Sequence, residues 1–249
     1  MTWGGMVAEA QKVGTRSPGR LIYAIGDIHG RADLLDLLLG QIRADSRDGP
    51  APVLVFLGDY IDRGLESRSV IDRLLALQGE LGAEVRFLKG NHEGAMLEFL
   101  RQSGSGQAWL AFGGAETLYS YGVRVPNPGA SGDELRRASE ALQAALPRAH
   151  LSFLKELELF VRYGNYVFVH AGLRPGRSLE AQVEEDLLTI REPFMRSRRK
   201  WPFIVVHGHT PELNVHIDAR RIGLDTGAYA TGRLSAVRLD GENVHVMST

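Results

Sequence analysis

Five segments of the chain carry aspartate, asparagine or histidine near their ends, and these side chains can bind metal ions or transfer protons. The segments are "LIYAIGDIHG" (21–30), "VLVFLGDYIDRG" (53–64), "EVRFLKGNHE" (84–93), "YVFVHAG" (166–172) and "FIVVHGH" (203–209). Each begins with an apolar or β-prone run that stops at polar residues. A single aspartate after such a run is usually a turn residue, but five endings of the same kind favour a shared site.

The polar residues at these endings offer oxygen and nitrogen ligands and no sulfur. They are Asp27, His29, Asp59, Asn91, His92, His170, His207 and His209. This set suits Mn²⁺, iron or Zn²⁺ better than an all-oxygen calcium site or a thiolate zinc site. The carboxylate of Asp59 could bridge two ions with its two oxygens. His150, His216 and His245 lack such surroundings and are interpreted as solvated or core histidines.

The elements that must position these residues follow from the apolar pattern. Short continuous apolar runs are typical of strands buried on both faces. Helical patterns, "RADLLDLLLGQIRADS" and "SRSVIDRLLALQGEL", separate the first three runs. This order predicts β-α-β-α-β with parallel strands. Ligands of open α/β sheets bind beyond the carboxyl ends of the strands, where the polar residues lie.

The rest of the chain predicts a helical insertion and an antiparallel tail. Residues 94–160 read as helices broken near Pro147, with "VRVPNPGASG" as a loop; a separate helical subdomain is the alternative. The tail alternates like antiparallel strands, with Asp240-Gly241 as a hairpin turn. The predicted fold class is α/β (α+β), a β-sandwich of mixed sheets flanked by helices. Residues 1–20 are predicted to be flexible and 21–249 to form one domain.

Composition excludes several classes of function. The 249 residues include no cysteine, so disulfides, thiolate metal sites and a thiol nucleophile are impossible. The net charge of −1 gives no case for a nucleic acid polymer or a membrane as partner. There is no P-loop motif and no apolar run long enough to span a bilayer. The first twenty residues lack the apolar region of a signal peptide, so a cytoplasmic location is expected.

The motifs "GDIHG", "GDYIDRG", "GNHE", "HAG" and "GHT", taken together, resemble those of the metallophosphoesterase (calcineurin-like) superfamily. Within it they resemble the phosphoprotein phosphatase (PPP) family in its compact bacterial and phage form. The resemblance implies the metallophosphoesterase fold and hydrolysis of phosphate monoesters by direct attack of a metal-bound hydroxide. It also implies two divalent cations, with Mn²⁺ expected and iron or Zn²⁺ as alternatives. "LDTGAYATGRL" (224–234) resembles a further family segment, to which no chemistry is assigned.

The resemblance implies roles for ten residues. Those that would bind metal are Asp27 and His29 on the first ion, Asp59 as the bridge, and Asn91, His170 and His209 on the second ion. Those that would act on the substrate are His92 as general acid, Asp62 as its carboxylate partner, and Arg63 and Arg191 as phosphate ligands. His207 precedes the last ligand, where a supporting or phosphate-side role is all that the resemblance implies.

Phosphate ester hydrolysis explains why these residue types belong together. Two cations roughly 3.5–4 Å apart can hold the phosphoryl oxygens and acidify a shared water. A histidine hydrogen-bonded to a carboxylate stays charged and can give the leaving oxygen a proton. Guanidinium groups match phosphate oxygens in a bidentate fork, which lysine cannot reproduce.

Three functions remain open at this stage. A Ser/Thr protein phosphatase is the leading hypothesis, because "DRG" and "GNHE" are both intact. A nucleotide hydrolase like the symmetrical diadenosine tetraphosphatases is the alternative. A non-catalytic metal-binding scaffold has no need for a proton donor and is the third. The expected partner is a phosphorylated protein or a small phosphoester, and no oligomeric state is predicted.

Overall fold

The computed structural model describes residues 11–12, 18–77 and 82–249, with side chains from residue 18 onward. Its strands form two sheets. The first contains β1 (Gln11–Lys12), β2 (Ile22–Ile25), β3 (Val53–Phe56), β4 (Glu84–Phe87), β10 (Ser235–Asp240) and β11 (Asn243–Ser248), in the order β1-β11-β10-β2-β3-β4. The second contains β5 (Phe160–Tyr163), β6 (Tyr166–Val169), β7 (Ile204–His207), β8 (His216–Ile217) and β9 (Arg221–Gly223), in the order β5-β6-β7-β9-β8.

Helices connect and cover these strands. They are α1 (Ala32–Asp45), α2 (Ser67–Ala76), α3 (Asn91–Arg101), a 3-10 turn (Ser103–Ser105), α4 (Gly106–Trp109), a π-helical turn (Leu110–Gly114), α5 (Ala115–Ser120), α6 (Gly132–Ala145), α7 (Arg148–Lys155), α8 (Glu184–Thr189), α9 (Glu192–Met195) and α10 (Ala228–Thr231). Among the residues that the structure describes, none of the helices has the length and apolar composition needed to cross a bilayer.

Side-chain alternation along the central strands builds the layers. In β2, Ile22 and Ala24 pack into a core shared with residues of the second sheet such as Phe168, because successive side chains point to opposite faces of a sheet. Tyr23 and Ile25 face the other way and pack against the leucines of α1 and α2. A third core lies on the outer face of the second sheet, beneath α8 and α9. The result is two mixed sheets, face to face, flanked by helices, which confirms the predicted fold class.

Most of the predicted elements are present. Strands β2, β3 and β4 are parallel, with α1 and α2 as the crossovers, and the helices of the insertion break at Pro147. The third predicted strand differs, since β4 is a sheet edge and is only half-buried. Its charged Glu84 and Arg86 alternate with apolar residues, as a strand covered on one face requires. The hairpin joins Asp240 to Asn243, so its turn is one residue later than predicted.

The predicted flexible segment, 1–20, lies mostly outside the described residues. Within it, Gln11–Lys12 pairs with β11 as an edge strand. The single domain over 21–249 stays a prediction. The histidines left aside differ from one another: His150 is buried and bonds Tyr121 and Asp72 across three helices, whereas His216 is partly exposed.

Candidate active site

The polar strand ends converge on one oxygen atom, Oδ2 of Asp59. The Nε2 atoms of three histidines lie close to this oxygen: 3.4 Å for His170, 3.6 Å for His29 and 3.9 Å for His92. All four side chains are buried. They come from the ends of β2, β3, β4 and β6, which lie in two different sheets. The site therefore lies at the carboxyl ends of strands, as predicted, and strands of both sheets contribute to it.

Two groups of candidate ligands share Asp59. One contains His29, Asp59 and His92, and the other contains Asp59, His170 and His209; within each group the ligand atoms lie within 4.8 Å of one another. Asn91 joins the second group, since its Oδ1 lies 3.0 Å from Nε2 of His170. Asp27 joins the site through its Oδ2, which accepts a hydrogen bond of 3.0 Å from the backbone N–H of His209. All six predicted metal ligands are thus brought together.

The histidine hydrogen bonds and two unpaired polar atoms show that the six predicted ligands are suited to binding cations. The Nδ1–H of His29 donates to the carbonyl of Ile61, and that of His170 donates to the carbonyl of Leu57, which leaves each Nε2 to face Asp59. Oδ1 of Asp27 and Nε2 of His209 are buried and have no hydrogen-bond partner among the described residues. Buried polar atoms are normally paired. A divalent cation bound by oxygen and imidazole nitrogen would satisfy both.

The buried carboxylates of the site also favour the binding of cations. Burial, Asp225 and Asp59 together raise the pKa of Asp27 well above its usual range. Asp225 is itself buried, and burial raises its pKa too. Burial alone would also disfavour the ionised form of Asp59, but His170 and His92 hold the pKa of Asp59 well below its usual range. Crowded carboxylates of this kind are stable as anions when positive charge lies among them.

Five predicted site residues have strained backbones. Among the described residues, every non-glycine residue with positive φ belongs to this site: His29, Asp59, Asp62, Arg63 and His209. Such conformations cost about 1–3 kcal/mol each and persist only where the surroundings enforce them. The N–H groups of Ile28 and His29 both donate to the carbonyl of Asp59, which ties the first two strand ends together. The strain is thus fixed by bonds between the loops that carry the ligands.

Glu93 anchors the loop that carries Asp59. One carboxylate oxygen accepts the backbone N–H groups of Asp59 (3.0 Å) and Gly90 (2.9 Å), and the other accepts those of Tyr60 (2.8 Å) and Ile61 (3.4 Å). The side chain is fully buried at the start of α3. Sequence reasoning gave Glu93 no role, although it is the last letter of "GNHE". Its place in that motif is the signal that could have identified it.

Replacing Glu93 by alanine is expected to lower the free energy of unfolding by about 3 kcal/mol or more. The reason is that four buried N–H groups, those of Asp59, Tyr60, Ile61 and Gly90, lose their acceptor, at about 1–3 kcal/mol for each unsatisfied group. Chemical denaturation of the metal-free protein measures the loss. Glu134→Ala is the matched control, because Glu134 accepts an N–H group at an exposed helix start, so its loss should be much smaller. Equal losses in the two variants would contradict the anchoring role.

His92 and Asp62 form a buried proton-holding pair. The Nδ1–H of His92 donates to Oδ2 of Asp62 over 2.6 Å. Burial opposes the charged imidazole, but Asp59 and Asp62 outweigh it and raise the pKa of His92 to about 9. The distance to Asp59 would also allow His92 to bind metal. Its bond to Asp62 favours a proton donor, because a carboxylate on Nδ1 stabilises the charged imidazole.

The helical insertion completes this pair. Trp109 donates its indole N–H to Oδ2 of Asp62 (2.8 Å), and the hydroxyl of Thr117 donates to Oδ1 (2.6 Å). The backbone N–H of Asp62 donates in turn to Ser67 and Thr117. Sequence reasoning gave neither Trp109 nor Thr117 a role. The helical insertion therefore supports the carboxylate that holds His92.

The two predicted arginines lie at the site in different ways. The backbone N–H of Arg63 donates to the carbonyl of Gly113, and its guanidinium lies over the ring of Tyr229. Arg191 immediately precedes α9 and is exposed; its charge is one of the causes that lower the pKa of His209 to about 3, after burial and His170. His207 lies outside both ligand groups, since its Nε2 contacts Arg221 and its Nδ1–H donates to the carbonyl of Gly208.

Two mixed sheets thus face each other and carry a candidate metal centre of carboxylates and imidazoles at the end that they share. The family model for calcineurin-like phosphoesterases matches residues 20–240. The chain belongs to that family and is a metal-dependent phosphoester hydrolase.

Curated relatives of two kinds match most of the chain. The chain is 29% identical to the bis(5'-nucleosyl)-tetraphosphatase PrpE [asymmetrical] of Bacillus velezensis, over 90% of this chain and 92% of that protein. It is 28% identical to serine/threonine-protein phosphatase 2 of Escherichia coli K12, over 88% and 93%. The fold matches a solved structure assigned provisionally as a diadenosine tetraphosphatase, with a TM-score of 0.63 at 22% identity, over 92% and 94% of the two chains.

Proposed function

We propose that this chain is a Mn²⁺-dependent phosphatase that hydrolyses phosphate monoesters of serine and threonine in proteins. The observation that carries the proposal is the His92–Asp62 pair beside the shared carboxylate Asp59. A serine or threonine alkoxide is a poor leaving group and needs a proton as the ester bond breaks. A phosphate leaving from a nucleotide polyphosphate needs that proton less. A buried, hydrogen-bonded donor therefore favours the monoester.

The residues divide the work between binding and proton transfer. Asp27, His29, Asp59, Asn91, His170 and His209 would hold two divalent cations. When bound, these would polarise the phosphoryl oxygens and make water a nucleophile at neutral pH. Arg63 and Arg191 would orient the phosphate with their N–H donors. His92 would donate the proton on Nε2 to the leaving oxygen, while Asp62 keeps the ring charged and fixed in orientation.

A second candidate function is hydrolysis of dinucleoside tetraphosphates. The observation that favours it is the similarity to PrpE, which spans nearly the whole of both chains. The site could serve it with the same cations and arginines, since the bond attacked is again a phosphoryl bond.

Ranking substrates by kcat/KM with Mn²⁺ separates the two functions. We expect phosphoserine and phosphothreonine peptides to exceed phosphotyrosine peptides, p-nitrophenyl phosphate and diadenosine tetraphosphate. The metal-free protein is the control and should be inactive on all of them. Preference for diadenosine tetraphosphate by orders of magnitude would replace the first function with the second. Repeating the ranking with iron and Zn²⁺ tests the choice of Mn²⁺.

A further inference from the structure

Tyr229 is an aromatic residue at the site for which the sequence predicted no role. It is 42% exposed, although it lies beside buried ligands. Its ring stands edge-on to that of His29, with 5.5 Å between centroids and 82° between planes. The guanidinium carbon of Arg63 lies 4.8 Å from the centroid of the Tyr229 ring. Tyr229 therefore contacts a candidate metal ligand and a candidate phosphate ligand at once.

The segment that carries Tyr229 is held at its start. Helix α10 is a single turn between two left-handed glycines, Gly227 (φ 67°) and Gly232 (φ 71°). The N–H of Gly227 donates to the carboxylate of Asp225, and Arg31 donates to the carbonyl of Ala228. Ala228 itself is buried in the core. The position of the Tyr229 backbone is thus fixed from the core side, and its ring can serve as a platform.

An aromatic platform suits an arginine that must keep its donors free. Within the described part of the chain, no carboxylate lies within ion-pair distance of the Arg63 guanidinium, unlike Arg174, which is paired with Asp186. A carboxylate partner would occupy the N–H groups that a phosphate needs. The face of a tyrosine attracts the cation through its ring electrons and leaves those N–H groups available. The backbone of Arg63 is fixed separately, by the carbonyl of Gly113.

We propose that Tyr229 is a positioning residue that holds the Arg63 guanidinium ready for the phosphate. This inference rests on the proposed function only in assuming that a phosphoryl group binds at this site. It adds to the site a contact that orients the Arg63 guanidinium without neutralising its positive charge. The effect of Tyr229 on substrate passes through Arg63 and not through direct contact with the leaving group.

Binding of orthophosphate to the Mn²⁺-loaded protein, measured by calorimetry, tests the inference. Tyr229→Leu removes the ring and should weaken orthophosphate binding by about 3- to 20-fold, the range expected for one cation–π contact. Metal content should stay unchanged, and KM should rise more than kcat falls. Tyr229→Phe keeps the ring and should stay within about twofold of wild type. Tyr119→Leu, the same change at an exposed tyrosine on α5, is the matched control and should have no effect.

A double-mutant cycle with Arg63→Gln gives the sharper result. If Tyr229 acts through Arg63, adding Tyr229→Leu to Arg63→Gln should cost almost nothing further. Fully additive losses would overturn the inference, as would losses confined to aryl esters, which would indicate direct contact with the substrate. Unchanged binding by Tyr229→Leu overturns the inference alone. A wild-type protein that binds no orthophosphate overturns both the inference and the proposed function.

Discussion

Replacing Asp59 by asparagine is expected to remove at least one of two bound Mn²⁺ ions and to lower kcat/KM by about 10³-fold or more, since barrier lowering of this size depends on the cations. Three histidine nitrogens lie within 3.9 Å of one oxygen of Asp59, and the two candidate ligand groups meet only at this residue. An amide offers one neutral oxygen and cannot bridge two cations as a carboxylate can. Metal content by elemental analysis after loading and gel filtration measures the effect.

The fold should survive this substitution. The backbone of Asp59 keeps its bonds to Ile28, His29 and Glu93, because asparagine does not alter them. The remaining side-chain oxygen can still accept the N–H of His92, as Oδ1 of Asp59 does. Asp186→Asn is the matched control. It is a buried carboxylate that pairs with Arg174 and Arg177 instead, so its loss should leave the metal content unchanged. Two ions per chain in Asp59→Asn would refute the bridging role.

The sequence alone predicted those features that depend on a single segment of the chain. Apolar runs that stop at ligands predicted the parallel strands β2, β3 and β4 and the carboxyl-end position of Asp27, Asp59 and His92. These inferences work because the strand period and the parallel crossover fix where each run must end. The strained backbones of His29, Asp59 and His209 were beyond this reasoning, since aspartate and histidine have no preference strong enough to signal a positive φ.

The missed residues share a different cause. Trp109 lies 47 residues from Asp62, and Tyr229 lies still further along the chain from Arg63. Helical periodicity in the insertion predicts which face is buried, but not which buried polar atom that face will meet. Trp109 reads locally as an ordinary core aromatic, and only the packing of α4 against the β3 loop turns its indole N–H into a partner of a buried carboxylate. The sequence therefore did not predict contacts of polar groups with residues that are distant along the chain.

Replacing His92 by asparagine is expected to lower kcat by about 10²–10⁴-fold on phosphoserine peptides while leaving the metal content near that of wild type. Asparagine can still hydrogen-bond Asp62 but carries no transferable proton. On p-nitrophenyl phosphate, whose leaving group needs little protonation, the loss should be much smaller. Steady-state kinetics on both substrates and elemental analysis provide the measurements. Equal losses on the two substrates would contradict the role of His92 as proton donor. Loss of metal would show that His92 binds a cation.

The pH dependence of this step has a definite sign. The pKa of His92 is raised, to about 9, because Asp59 and Asp62 outweigh burial, so the ring stays protonated at neutral pH. Activity on phosphoserine peptides should persist through neutral pH and fall as the pH rises through the pKa of His92. A cation on Asp59 cancels part of the effect of that carboxylate, so this alkaline limb should lie below 9 in the Mn²⁺-loaded enzyme.

Asp62→Asn moves this limb in a predictable direction. Without the carboxylate the pKa of His92 falls, because an amide partner stabilises the imidazolium less. The alkaline limb should therefore shift to lower pH, and combining Asp62→Asn with His92→Asn should cost little beyond His92→Asn alone, since the two side chains act as a unit. A limb that keeps its position in Asp62→Asn would remove the His92–Asp62 pair from the proton transfer.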